Sequence, residues 1–297
     1  MSHDTNNRTF TGKQSKLSGM TWGSRSDPLW IAMHGWMDNA ASFSRIAPII
    51  ANELGVRIIA IDFSGHGHSR HRPPGSEYSM WSYCHDVLDV LDELGNPKVT
   101  LLGHSLGAGV ANLMAATYPE FVRGIVLIDG LLGRLVEPEH LVDQLRSGVS
   151  AQRKEYLHEK QYQDIDEAIE ARVRKSLLPI TADAVRPIVI RSLAGDTQNG
   201  YRLRIDRQIT APRPVAFSTD QAVAILDNIQ CPSLLIEGDR GIIHERDPSH
   251  ACRKAIKGLT QIKLEGGHHL HIDANSMMPV AGEIIAWTKK TPTLLRK

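Results

Sequence analysis

The stretch Val99-Thr-Leu-Leu-Gly-His-Ser-Leu-Gly-Ala-Gly-Val-Ala-Asn-Leu-Met-Ala-Ala-Thr-Tyr118 decides the fold. Val99 to Leu102 reads as a short buried strand, and Leu106, Val110, Leu113 and Met114 recur at helical spacing. Between them stands Gly103-His104-Ser105-Leu106-Gly107, a G-x-S-x-G sequence in the strand, sharp turn, helix context that gives it chemical meaning. A serine on such a turn has its hydroxyl lifted clear of the backbone, and glycines two residues before and after it avoid Cβ collisions. Ser105 is therefore read as a nucleophile. The Leu106 N–H, at the amino end of the helix, is a donor for a developing oxyanion.

Working outward, apolar segments suited to burial on both faces alternate with amphipathic ones, as in parallel strands joined by helical crossovers. Upstream, strands are expected at Pro28–Met33 and Val56–Phe63, and helices at Ser42–Leu54 and Tyr78–Leu94. Ile125–Ile128 is the next strand, with Asp129 at its carboxyl end. After Gly130 the rhythm changes. Charged, helix-prone segments run through residues 139–146, 151–162 and 166–178. Strand rhythm returns with Asp220–Ile229 as helix, Ser233–Glu237 as strand, His250–Lys257 as helix, Gln261–Leu264 as strand and Met278–Lys290 as a last helix. The chain thus divides into a core, first part, over 1–130, an inserted helical cap over 131–218, and a core, second part, over 219–297.

Two further loops complete a catalytic set. His34-Gly35-Trp36-Met37-Asp38 follows the first clear core strand, and the backbone N–H of Trp36 is the candidate second oxyanion donor. Gly266-Gly267-His268-His269-Leu270-His271 follows the last core strand and supplies the general base, with His268 first and His269 and His271 as alternatives. The acid that orients this base belongs just beyond a core strand, where Asp129 and Asp239 both stand; the residues alone leave the choice open. His66 and His68, in the turn after Asp62, are read as organisers of that turn. Adjacent His268 and His269 rarely face one centre and no compact carboxylate or thiol set joins them, so no metal site is expected. No cofactor is expected either.

Composition bounds the partners. The 297 residues are 41% hydrophobic and 23% charged, the balance of a globular protein. Its 34 basic and 33 acidic residues nearly cancel, so no global field draws nucleic acid or anionic membrane. No stretch approaches the roughly 20 apolar residues of a membrane span. Three scattered cysteines and a polar start without the apolar middle of a signal peptide lead to the expectation of a cytoplasmic location.

The strings HGWMDNAASF, IDFSGHGHSRHRPPGSEYSMWSY, LLGHSLGAGVANLMAATYPE and GGHHLHID, in this order, resemble the α/β-hydrolase-fold superfamily and within it the serine hydrolase-like proteins. That resemblance implies a mostly parallel eight-stranded sheet flanked by helices, with a helical cap after the sixth strand. It implies a Ser105 nucleophile and, because the family's base directly follows glycine, His268 as base. Relatives often carry the acid as G-x-x-D after the penultimate core strand. Here Gly238-Asp239-Arg240-Gly241 has glycine at that place, and the resemblance shifts to branches with the acid after the sixth strand, which favours Asp129 over Asp239. The expected activity is carboxylesterase-like hydrolysis of a small acyl substrate through an acyl-enzyme. Thioester, lactone or carbon–carbon bond hydrolysis on the same machinery, or a noncatalytic binding protein keeping the fold, are the alternatives. Trp36, Trp81, Tyr83 and Met114 are candidate pocket surface.

Overall fold

A computed structural model describes residues 7–153, 160–176, 178–243 and 247–296. Its strands are β1 (Arg8–Thr11), β2 (Lys16–Trp22), β3 (Leu29–Met33), β4 (Arg57–Asp62), β5 (Val99–His104), β6 (Val122–Ile128), β7 (Gln161–Tyr162), β8 (Leu193–Asp196), β9 (Gly200–Leu203), β10 (Ser233–Arg240) and β11 (Thr260–Gly267). Eight of them form one sheet in the order β1-β2-β4-β3-β5-β6-β10-β11. Pairing is antiparallel at β1/β2 and β2/β4 and parallel from β4 to β11. The largely parallel sheet expected from the crossover rhythm is thus present.

The helices are α1 (Ala47–Leu54), α2 (Tyr83–Glu93), α3 (Leu106–Thr117), α4 (Leu141–Gln152), α5 (Ile165–Arg174), α6 (Ala182–Ser192), α7 (Thr219–Leu226), α8 (Asp247–Ala255) and α9 (Met277–Lys289). Successive strand residues face opposite layers, as period-two geometry requires. Ile31, Ile59, Ile61, Leu101, Ile125 and Leu127 join the core under α2, α3 and α7. Trp30, Ala32, Ile58, Leu102, Val126 and Ile128 join the core under α1 and α9. Burial on both faces is what makes these strands read as continuous apolar runs. Tyr83 and Met114 are fully inside the first of these layers, so they are packing residues and not pocket surface, whereas Trp36 and Trp81 are exposed.

The expected helix at 42–54 is broken: a 3-10 turn at Ala40–Phe43 precedes α1, and Pro48 sits at the start of the latter. Between β6 and α7 the chain forms α4, α5 and α6, as a charged helical stretch should, but also a small antiparallel sheet, β7-β9-β8. The purely helical reading of 131–218 is corrected accordingly. The helix expected over 151–162 falls partly outside the described residues. Pro187 lies inside α6, where its missing N–H leaves the Asp183 carbonyl without its helical donor. Arg45 Nη2 donates to that oxygen at 3.0 Å and to the Asp183 carboxylate at 2.6 Å, which compensates the break and ties the inserted segment to the core. Arg191, also on α6, reaches the fully buried Asp62 at the end of β4, donating through Nε at 2.9 Å. Further ties, Arg172 to Asp38 and Asn39 to the Ile188 carbonyl, lie in the loop after β3. These contacts hold the segment over the carboxyl ends of β3 and β4.

Candidate active site

Ser105 sits between β5 and α3 with φ 51° and ψ −107°, a conformation costly for a residue with a side chain. The sequence makes it affordable through its neighbours. A Cβ at Gly103 would strike the Gly107 backbone, and one at Gly107 would strike the Met33 carbonyl. The Gly107 N–H donates to the His34 carbonyl at 3.1 Å, and the Ser105 N–H to the Ile128 carbonyl at 3.0 Å. The turn is therefore clamped between the ends of β3 and β6. Leu106 opens α3, so its N–H belongs to the first turn, whose donors lack helical acceptors.

The end of β6 is shaped by the same crowding. Asp129 has φ 42°, and a Cβ at Gly130 would lie 2.6 Å from the Ser105 carbonyl oxygen. The Asp129 carboxylate is fully buried. Its Oδ2 accepts the Ile242 N–H at 2.9 Å and stands 2.6 Å from His268 Nδ1. A carboxylate can only accept, so Nδ1 carries the proton and the lone pair of His268 is left on Nε2. Asp239 is elsewhere. Its Oδ1 accepts the Gly266 N–H at 2.8 Å and its Oδ2 pairs with Arg240 at 3.3 Å, so it fastens β10 to the strand beside it. Of the two sequence candidates, the fold brings Asp129 to His268.

His104, the residue before Ser105, joins the nucleophile turn to the histidine loop. Its Nε2–H donates to the His268 carbonyl at 2.9 Å, and its ring centroid is 4.6 Å from that of His268 and 4.1 Å from that of His271. The sequence reading missed this role, since nothing in the string Gly-His-Ser tells that the ring turns toward a loop 164 residues away. His271 is fully buried against Phe43, and burial drives its pKa well below the ordinary value. Half-buried His269 is lowered to about 4, again chiefly by burial. Both are neutral rings at neutral pH. Asp38, buried and ion-paired with Arg172 at 3.1 Å, lies 3.8 Å from His104 Nδ1 and closes the cluster. Among the described residues, no group of histidine, cysteine, aspartate and glutamate side chains has a metal-holding arrangement.

The loop after β3 approaches the same place. A Cβ at Gly35 would press on the His104 ring, and Met37 takes a positive φ of 65°. The Trp36 indole donates to the Ile209 carbonyl at 3.0 Å, linking this loop to the inserted segment. His34 accepts the Phe63 N–H on Nε2 at 3.0 Å and donates from Nδ1 to the Gly35 carbonyl at 2.8 Å, pinning the loop to the end of β4. His66 packs edge-on against His34, and Asp62 accepts the His68 N–H at 2.9 Å, so both histidines belong to the turn after β4.

Known proteins share this construction. Residues 31–274 match the family model described as the alpha/beta hydrolase fold. A serine hydrolase-like protein of Dictyostelium discoideum is 31% identical over 92% of this chain and 81% of its own length. A serine hydrolase-like protein of Danio rerio is 27% identical over 87% and 81%. The crystal structure of a hypothetical protein from Pseudomonas aeruginosa PAO1 is 33% identical and superposes with a TM-score of 0.87 over 95% of this chain and 99% of that one. No helix among the described residues is long and apolar enough to cross a membrane. The chain belongs to the alpha/beta hydrolase fold family and is a hydrolase of that fold.

Proposed function

We propose that the protein is a serine hydrolase that cleaves a carboxylic ester or related acyl compound, with Ser105 as nucleophile, His268 as general base and Asp129 as the acid that orients it. The observation that carries this reading is the Asp129 carboxylate 2.6 Å from His268 Nδ1, in a chain whose Ser105 is held at φ 51° on a clamped turn. His268 Nε2 takes the Ser105 proton as Oγ bonds to the carbonyl carbon, and the backbone N–H groups of Trp36 and Leu106 receive the oxyanion. Collapse of the tetrahedral adduct breaks the bond to the leaving group, which takes the proton from His268. Water then attacks the acyl-enzyme with His268 as base, the proton returns to Ser105, and a carboxylic acid leaves. Asp129 keeps Nδ1 protonated and offsets the imidazolium charge in both halves.

Residues 131–218 serve as the cap of this site, an assignment supported by the ties of Arg191, Arg172 and Trp36 across the strand ends. The three free thiols, Cys84 and Cys252 buried, support a reducing cytoplasmic location.

A fluorophosphonate probe tests the reading. The wild-type protein is expected to be labelled at Ser105, and Ser105→Ala to lose the label while staying folded. A folded wild-type protein that neither reacts nor turns over activated esters, thioesters or lactones is a binding protein, and the reading is then wrong.

A further inference from the structure

A second feature lies beside the site and is used by none of the steps above. Tyr78, Trp81, Gln152, Gln208, Ile209 and Arg213 are among the residues around a partly open cleft of about 100 Å³. Ser105 does not line it, but two contacts link it to the loop after β3 and to the first turn of α3, which Ser105 precedes. Ile209 holds the Trp36 indole, and Met80, between cleft residues Ser79 and Trp81, packs on Gly109, whose N–H donates to the Ser105 carbonyl.

The unusual member of the wall is Arg213. Among the described residues no carboxylate lies within ion-pair distance of its guanidinium, and it is half-buried. Burial lowers its pKa, which means that the cation is held where water solvates it poorly. The contrast with Arg72 is informative: that guanidinium sits 3.6 Å from Asp86 and over the Tyr78 and Tyr83 rings, so its charge has partners within the protein. The Arg213 backbone is fixed in place. Its carbonyl accepts from Gln144 of α4, and Gly148 of the same helix packs on Pro214 so closely that a Cβ there would strike the proline. A cation of this kind, desolvated and preorganised in the wall of a cleft, is stabilised by an anion arriving from outside.

We propose that this cleft is an anion subsite in which Arg213 pairs with a carboxylate carried by the substrate remote from the carbonyl that Ser105 attacks. The connecting chain runs over Trp81, whose ring leans on Phe217 at 5.9 Å between centroids and gives that face an apolar surface. A monoanionic carboxylate fits better than a phosphate dianion. One guanidinium matches it bidentately, and Glu77, which also lines the cleft and takes a hydrogen bond from Gln152, adds a negative charge that opposes a second one on the ligand. The substrate class is thus the half-ester, or half-thioester, of a dicarboxylic acid. The word substrate rests on the acyl-hydrolase reading of Ser105; the affinity of the cleft for the anion does not.

Calorimetric titration of folded Ser105→Ala protein tests this, with the monomethyl esters of succinate, adipate and suberate against the matching dimethyl esters. At one chain length at least, the half-ester is expected to bind about tenfold tighter or better than its diester, the range of a charge-assisted pair. Adding Arg213→Met should collapse that ratio to near one, and Arg213→Lys should keep part of it. Equal binding of half-ester and diester at every length overturns the proposal, as does a preference that survives in Arg213→Met. Because the titration needs no turnover, it fails or succeeds independently of fluorophosphonate labelling at Ser105.

Discussion

The side chain missing at Gly241 is what makes room for the carboxylate of Asp129: a Cβ built at 241 would fall on Asp129 Oδ1. The next N–H in the chain, that of Ile242, is a donor to the same carboxylate. An acid at 241 and an acid at 129 therefore compete for one volume, and the glycine in Gly238-Asp239-Arg240-Gly241 is the counterpart of the aspartate after β6.

It follows that Gly241→Ala should displace the Asp129 carboxylate by direct collision and, through it, disturb His268. A shift of about 1 Å in a catalytic group is enough to lower kcat on the order of a hundredfold. Ester turnover and far-ultraviolet circular dichroism of the variant check this. Unchanged kcat in folded Gly241→Ala would show that the carboxylate has space to spare.

The two aspartates should separate cleanly. Asp129→Asn keeps the shape but offers Nδ1 an amide, and loss of the correct imidazole tautomer costs on the order of 10⁴ in kcat in a serine triad. Asp239→Asn removes only an acceptor for the Gly266 N–H and a partner for Arg240, and should keep kcat within a few-fold of wild type. Steady-state kinetics on one activated ester decide; equal losses would contradict the geometry.

Stability should fall on acidification below the ordinary histidine range. His34, His66, His104, His269 and His271 all have pKa values lowered by burial, to about 4 for His269. Between pH 6.5 and about 4 the unfolded chain binds protons that the folded one refuses, so stability contributed by the neutral rings is present above 6.5 and is lost as pH drops. For His269 alone this is on the order of 3 kcal/mol by pH 4. Asp86, raised to about 6 by burial, acts in the opposite sense over part of this window, and the five rings outweigh it. Urea midpoints at pH 7, 6, 5 and 4 test the slope, which His269→Phe should reduce.

Arg191 should be the costliest tie of the inserted segment to lose. Its removal leaves Asp62, at 0% exposure, without its cation, and breaking a buried pair from one side costs about 3–5 kcal/mol. Arg191→Met is expected to lower the denaturation midpoint accordingly, whereas Arg186→Met, which breaks an exposed pair with Asp166, should change it little.

How much of this was legible in the sequence follows from which forces set each element. β3, β4, β5 and β6 could be read because burial on both faces writes an unbroken apolar run, and α3 because the strand, turn, helix context of Ser105 admits few alternatives. β1 and β2 were not read as strands: β1 is four residues at the half-exposed edge of the sheet, and β2, Lys-Leu-Ser-Gly-Met-Thr-Trp, has polar residues and a glycine between its apolar ones and so writes no apolar run. β8 and β9 are four residues each and only partly buried, too little for any alternation to register. α6 was hidden by Pro187, whose break is repaired by Arg45 from another part of the chain. The site shows the same divide. Ser105 and the glycine before His268 are local signals. The direction of Asp129 against Asp239, the reach of His104 and the placement of Arg213 beside α4 arise from contacts between residues distant in sequence, which spacing does not encode.

If the proposed mechanism holds, Ser105 itself carries the acyl group during turnover. Intact-mass and peptide analysis of wild-type protein quenched during turnover of a p-nitrophenyl ester measures this most directly. One acyl mass is expected on the peptide containing Ser105, absent from Ser105→Ala. Turnover with no adduct on that serine, or with the adduct on another residue, would contradict it.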